Sequence, residues 1–244
     1  MPWDFWLIFL VLGVLLPWRG RHRMQKMLAE AATTTRDRIL LYGSTILFQW
    51  SIVALIAWRS EARGYWPADL GLAVHGGLRT LAAAIVGAAT LSAFQWFNLR
   101  RLSRTPSKTR DFMQQLARRI FPHSPAEFAL YLGLAVTAGL CEEFIYRGFA
   151  MAVLYRLGFS IWLVIFISSV LFGLAHLYQG RGGFVGTFVI GAVFGIARIA
   201  YDGLVPVMAW HFAIDAVAGF AGPKYLVPAT PSGTDIEPPT PAET

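Results

Sequence analysis

The sequence predicts an all-α fold, a polytopic transmembrane helical bundle of about seven spans, and three observations carry that prediction. Hydrophobic residues fill 56% of the 244 positions and charged residues only 14%, against roughly 25% charged in ordinary soluble domains. The apolar residues are gathered into segments, most of them near the ~20 residues that cross a hydrocarbon core. Most Lys and Arg fall between those segments, chiefly in two short loops. The net charge of +7 therefore reads as membrane topology, in which positive loops stay cytoplasmic, and no nucleic acid is expected as a partner. Cys141 is the single cysteine, which excludes a disulfide framework and a Cys-rich metal site.

The first span, Trp3 to Trp18, is followed by Arg19, Arg21, Arg23 and Lys26. A cleavable signal peptide carries its positive charge before the apolar run and a small-residue cleavage site after it. Here the order is reversed, so the helix is expected to be retained, its N-terminus outside and the Arg19 to Arg38 loop in the cytoplasm. Being short, it must tilt little or thin the bilayer. Ile39 to Trp58 is the second span, and the loop after it balances Arg59 and Arg63 against Glu61 and Asp69 and reads as external. Leu78 to Phe97 is the third. The most basic stretch follows, with Arg100, Arg101, Arg104, Lys108, Arg110, Arg118 and Arg119 against Asp111, a cytoplasmic loop suited to anionic headgroups. These helices and loops form a first region, 1–125.

The second region, 126–222, is expected to be the functional core. Pro125 opens a helix from Ala126 to about Tyr155, roughly 45 Å long, which must tilt, break or emerge. Ile161 to Tyr178 is the fifth span. Gly182 to Ala200 is the sixth, its Gly191 and Gly195 spaced for close helix packing. Leu204 to Gly222 is the seventh. Taken as straight spans, these helices put Glu142 and His211 toward the outer half of the membrane and His176 near the inner end of its span, a conflict of depth. From Pro223 the composition turns to Pro, Thr, Ser and Glu, so 223–244 is expected to be a disordered tail.

Chemistry concentrates at Gly139 to Phe149, GLCEEFIYRGF, where two carboxylates and an arginine interrupt an apolar run. A central charge costs about 2.5 to 3.5 kcal/mol on insertion scales, so such a cluster is a functional hypothesis. Glu143 and Arg147 are four apart with the acid first, the favourable order for an ion pair on one helix face. Glu142 points about 100° away, free to meet a group from another segment. A buried carboxylate without a cation is placed to take a proton from water and return it. Phe172 and His176 share one face, as do His211 and Asp215. Singly, each histidine reads as a packing residue or an interhelical hydrogen-bond partner. Gathered into one polar chamber built by spans 4, 5 and 7, Glu142, Glu143, Arg147, His176, His211 and Asp215 escape the cost each would carry in lipid. Tyr146, one turn after Glu142, is open both to a hydrogen bond with it and to aromatic packing. Cys141 reads as a small packing residue, and Arg198 with Asp202 as an interface pair.

The set Glu142-Glu143-x-x-x-Arg147, Phe172-x-x-x-His176 and His211-x-x-x-Asp215 resembles the CPBP family of intramembrane proteases, whose pattern is EExxxR, FxxxH and HxxxN or HxxxD. That family includes eukaryotic CAAX-prenyl endopeptidases and bacterial bacteriocin-processing and immunity-linked members. The likeness covers about Glu127 to Phe220. It implies an intramembrane peptidase in which Glu142 and His176 activate a water, Glu143 and Arg147 support the fourth helix, and His211 and Asp215 line the oxyanion side. Many members carry Asn at the last position; an ionised Asp215 cannot donate to an oxyanion, so it is expected to orient His211.

The resemblance also implies no cofactor, with zinc on the two histidines and two carboxylates as the alternative. The expected partners are membrane lipids and a membrane-anchored protein or peptide substrate, in a prokaryotic cytoplasmic membrane. The rival reading is a non-enzymatic transporter or immunity protein using the same cluster for protons or cations.

Overall fold

Local signals in the sequence set where the helices begin. Thr34 accepts from the Asp37 amide while the Asp37 side chain accepts from the Thr34 amide, a reciprocal cap that starts the second helix. Ser124 caps Glu127 from outside the helix that Pro125 opens, the position where proline's missing N–H is not needed. A computed structural model describes residues 1–30, 32–104 and 108–227, and among them every regular element is helical.

Eight helices follow in order. α1 is Trp3–Ala29, α2 is Thr35–Ala62 and α3 is Gly77–Arg104. The short α4 is Lys108–Ile120 and the long α5 is Pro125–Arg156. α6 is Ile161–Ala175, and after one 3₁₀ turn at Leu177–Gln179 come α7, Gly180–Ala200, and α8, Val205–Leu226. The all-α membrane architecture is as the composition predicts, but three boundaries differ. α1 does not stop at Trp18; Arg, Lys, Gln, Met and Leu are good helix formers, and the helix runs on through the basic stretch. α8 passes Pro223 to Leu226, which packs wholly buried with Leu99, Ala117, Phe121 and Ala221, so the expected tail begins later; its 228–244 part lies outside the described residues.

The third difference concerns the fifth span. Among the described residues six helices are long and apolar enough to cross a membrane, whereas α6 has 15 residues. The chain leaves it at His176 (φ −102°, ψ 11°) and turns at Gly180 with φ +81°, a backbone that side chains with a Cβ adopt at a cost. α6 is thus about 22 Å long at about 1.5 Å per residue, and it forms a hairpin with α7.

α5 is the central element. α2 and α8 pack on its first half and α6 meets its second half, while α3 lies along α8. Close approach is built from glycines at the crossings that hold the site. A Cβ on Gly139 would stand 2.9 Å from the Met208 carbonyl and 3.1 Å from the Phe212 nitrogen, and one on Gly191 would stand 3.2 Å from the Ser169 Cα. Ser168 also donates to the Tyr146 carbonyl at 2.8 Å, fixing α6 on α5.

Buried ion pairs close both ends. Arg38 chelates Glu127 at 2.8 and 3.2 Å, while Asp4 receives Arg59 at 2.8 Å and Arg63 at 3.2 Å. Leu78, Ile85, Phe94, Trp162 and Phe166 face outward, as lipid requires.

Candidate active site

The site begins with the way α5 separates its two carboxylates. Glu143 is fully buried and its Oε1 accepts from Arg147 Nη1 at 2.9 Å, the i,i+4 pair expected from spacing. The same oxygen faces Nδ1 of His211 at 2.7 Å. Glu143 therefore ties α8 to α5, and the close crossing at Gly139, one turn earlier, is what allows it. Two of the Arg147 nitrogens, Nε and Nη2, find no hydrogen-bond acceptor among the described residues. The guanidinium lies instead over the Phe172 ring, 4.2 Å from its centroid, with Phe194 at 5.5 Å, so π faces take the place of acceptors.

Glu142 turns to the other side. Its Oε1 accepts from Gln49 Nε2 at 2.7 Å, and its Oε2 lies 3.9 Å from Nε2 of His176. The histidine's other nitrogen, Nδ1, is 2.8 Å from the Phe172 carbonyl. A carbonyl only accepts, so Nδ1 carries the proton and donates, which leaves Nε2 of a neutral ring as an acceptor toward Glu142. The end of α6 makes this possible, because the backbone leaves the helix at His176.

The depth conflict of straight spans is also removed. α5 continues for about 21 Å beyond Glu142 and α6 retraces about 22 Å, so His176 returns to within 3.9 Å of Glu142, while His211 meets Glu143 at 2.7 Å.

His211 and Asp215 share a face of α8, with Nε2 to Oδ2 at 3.6 Å. Each ring nitrogen of His211 thus faces a carboxylate, and both are placed to donate. Asp215 is the more open of the two, its side chain 34% exposed. Tyr131 donates to the Asp215 carbonyl at 3.3 Å, steadying that turn of α8. Tyr146 is buried with its ring 5.4 Å from that of Phe172; among the described residues no hydrogen bond joins it to Glu142, so packing is its observed contribution. Cys141 is buried. Arg198 meets Asp202 at 3.4 Å away from the cluster.

The residues singled out by sequence thus converge from three helices, and a fourth helix adds one that sequence reasoning missed. Gln49 sits mid-span in α2. Its signal was a lone amide within Ile39 to Trp58, between Phe48 and Trp50, and nothing in its spacing tied it to the distant motif. Glu142 Oε2, Gln49 Oε1 and Glu143 Oε2 are buried without a hydrogen-bond partner among the described residues.

The zinc alternative does not fit this arrangement. Among the described residues no group of three His, Cys, Asp or Glu side chains is disposed to hold a metal ion. Glu143 is already engaged by Arg147 and His211, which leaves Glu142 and His176 as a pair.

Membrane helices closing around a carboxylate–imidazole pair define a class: an integral, multi-pass membrane protein with a buried polar centre. Residues 124–217 match the family described as type II CAAX prenyl endopeptidase Rce1-like. The match is consistent with the CPBP family of intramembrane proteases, and the matched segment contains Glu142, Glu143, Arg147, His176, His211 and Asp215. No curated protein and no solved structure matches the chain.

Proposed function

We propose that this protein hydrolyses a peptide bond of a membrane-anchored protein or peptide, with Glu142 and His176 activating the attacking water. The observation that carries the reading is the 3.9 Å between Glu142 Oε2 and His176 Nε2. A water that donates both hydrogens at about 2.8 Å bridges acceptors roughly 4 Å apart, the separation found here. Both groups present lone pairs, so the water donates both hydrogens and turns an oxygen lone pair outward. As that oxygen bonds to the carbonyl carbon, the proton passes to Glu142 Oε2; it then moves to the leaving nitrogen as the C–N bond breaks. His211 is oriented by Glu143 on Nδ1; its Nε2, 3.6 Å from Asp215 and not hydrogen-bonded to it, is the nitrogen left to donate to the oxyanion, and such a donor contributes about 10²- to 10³-fold.

The family to which residues 124–217 are matched makes a prenylated CAAX-type tail the first substrate class to try, in a prokaryotic cytoplasmic membrane. The test uses full-length protein in vesicles with a quenched farnesylated peptide and mass analysis of the products. The native protein is expected to release a cleaved peptide. Glu142→Gln should lose about 10²- to 10⁴-fold in kcat while keeping its thermal midpoint. Cleavage by Glu142→Gln at the native rate would overturn the reading. Proton flux without any peptide product would favour a carrier. Activity is expected to survive chelators, with no stoichiometric metal in the purified protein.

A further inference from the structure

We infer that Gln49 is a positioning residue for this reaction, one that selects which oxygen of Glu142 takes the proton. The inference rests on the hydrolytic reading above. Gln49 Nε2 holds Oε1 at 2.7 Å, and the oxygen left over, Oε2, is the one that stands 3.9 Å from His176. A carboxylate tethered by one oxygen cannot turn about its final bond without breaking that tether. The base is thereby presented in one orientation.

The choice of an amide follows from the contrast within the motif. Glu143 is bound by a cation, Arg147, and so serves as a neutralised strut. A cation on Glu142 would disable it as a base, whereas a neutral donor holds the carboxylate in place and leaves its charge available. The tether also survives the proton cycle. When Oε2 carries the proton, Oε1 is the carbonyl oxygen of the acid and still accepts from Nε2. An amide at this depth in an apolar span costs free energy unless it is bonded, and the partner it has found is the site carboxylate.

The reach is set by helix packing. Trp50 Nε1 donates to Thr137 Oγ1 at 3.3 Å, joining α2 to α5 a little more than one turn before Glu142. That neighbouring contact supplies a control, because it joins the same two helices without touching the site.

Gln49→Leu and Gln49→Asn are measured beside Trp50→Phe, all in the full-length protein with the farnesylated peptide, reading kcat, KM and thermal midpoint. Gln49→Asn keeps an amide but is one methylene too short. Both Gln49 variants are expected to lose about 10- to 100-fold in kcat, with KM within about twofold, since misplacing a reacting group by about 1 Å is worth up to about 10². Trp50→Phe should lower the thermal midpoint and leave kcat near native.

Native kcat in Gln49→Leu, a change confined to KM, or an equal loss of kcat in Trp50→Phe would each overturn the inference. Should Gln49→Leu fail to fold, Gln49→Asn alone decides it. If Glu142→Gln is inactive while both Gln49 variants cleave at the native rate, the inference falls and hydrolysis stands. If the native protein leaves the peptide intact, or Glu142→Gln cleaves normally, both fall together.

Discussion

At the scale of single residues, two adjacent glutamates with one formula have been given opposite surroundings. Glu143 meets Arg147 and His211; Glu142 meets an amide and the acceptor face of an imidazole. The first half of that division was legible, because helix spacing alone aligns Glu143 with Arg147 and turns Glu142 away. The bond from Glu143 to His211 was not, since it depends on how closely α5 and α8 cross, which spacing along one helix does not encode. Removing one partner of a fully buried pair strands the other, at about 3 to 5 kcal/mol. Arg147→Met should therefore lower the thermal midpoint sharply, and circular dichroism melts in detergent check it. Asp215 is more exposed and less tightly held. Asp215→Asn is expected to stay within about tenfold of native kcat, because an amide can donate to an oxyanion directly, whereas Asp215→Leu should lose about 10²-fold or more. Peptide cleavage rates for the pair decide this.

At the scale of elements, what the site needs is one close crossing and one early ending. The crossing is at Gly139. A methyl group there would meet backbone atoms of α8 at 2.9 and 3.1 Å, and neither can swing aside as a side chain would. Gly139→Ala should thus destabilise by about 1 to 3 kcal/mol and reduce cleavage by drawing His211 away from Glu143. A Cβ on Gly43 in α2 would meet nothing within 4 Å, so Gly43→Ala should be neutral or stabilise by up to about 1 kcal/mol through helix propensity. Thermal midpoints of the two variants, measured together, test the argument. The early ending was hidden in the sequence, because the apolar run continues from Ala175 into Leu177 and Tyr178, and hydropathy registers composition without registering a turn.

α5 shows a further feature that periodicity could not show. It stays continuous over its 32 residues, with a π-helical stretch at Phe144–Ala150 directly after the carboxylates. Such stretches gather at functional sites.

At the scale of the whole molecule, the membrane class and the order of the helices were readable from composition and loop charge, because lipid constrains every span in the same way. The pairing of ends was not: Asp4 with Arg59 and Arg63, and Arg38 with Glu127, lie far apart in the chain. They place the start of α1 beside the end of α2, and the start of α2 beside the start of α5. Loop charge predicts cytoplasmic basic stretches, which would put the loop after α2 outside. In a Cys141→Ala background, a membrane-impermeant maleimide should label Trp66→Cys in intact cells and Arg118→Cys only after disruption. The reverse pattern would invert the topology.

The brevity of α6 acts on the surroundings as well as on the site. Trp162 and Phe166 offer acyl chains an apolar wall of about 22 Å, where a relaxed bilayer is about 30 Å thick. A bilayer meeting so short a wall would thin locally. Thinning of that kind would shorten the path from headgroups to polar centre along this flank.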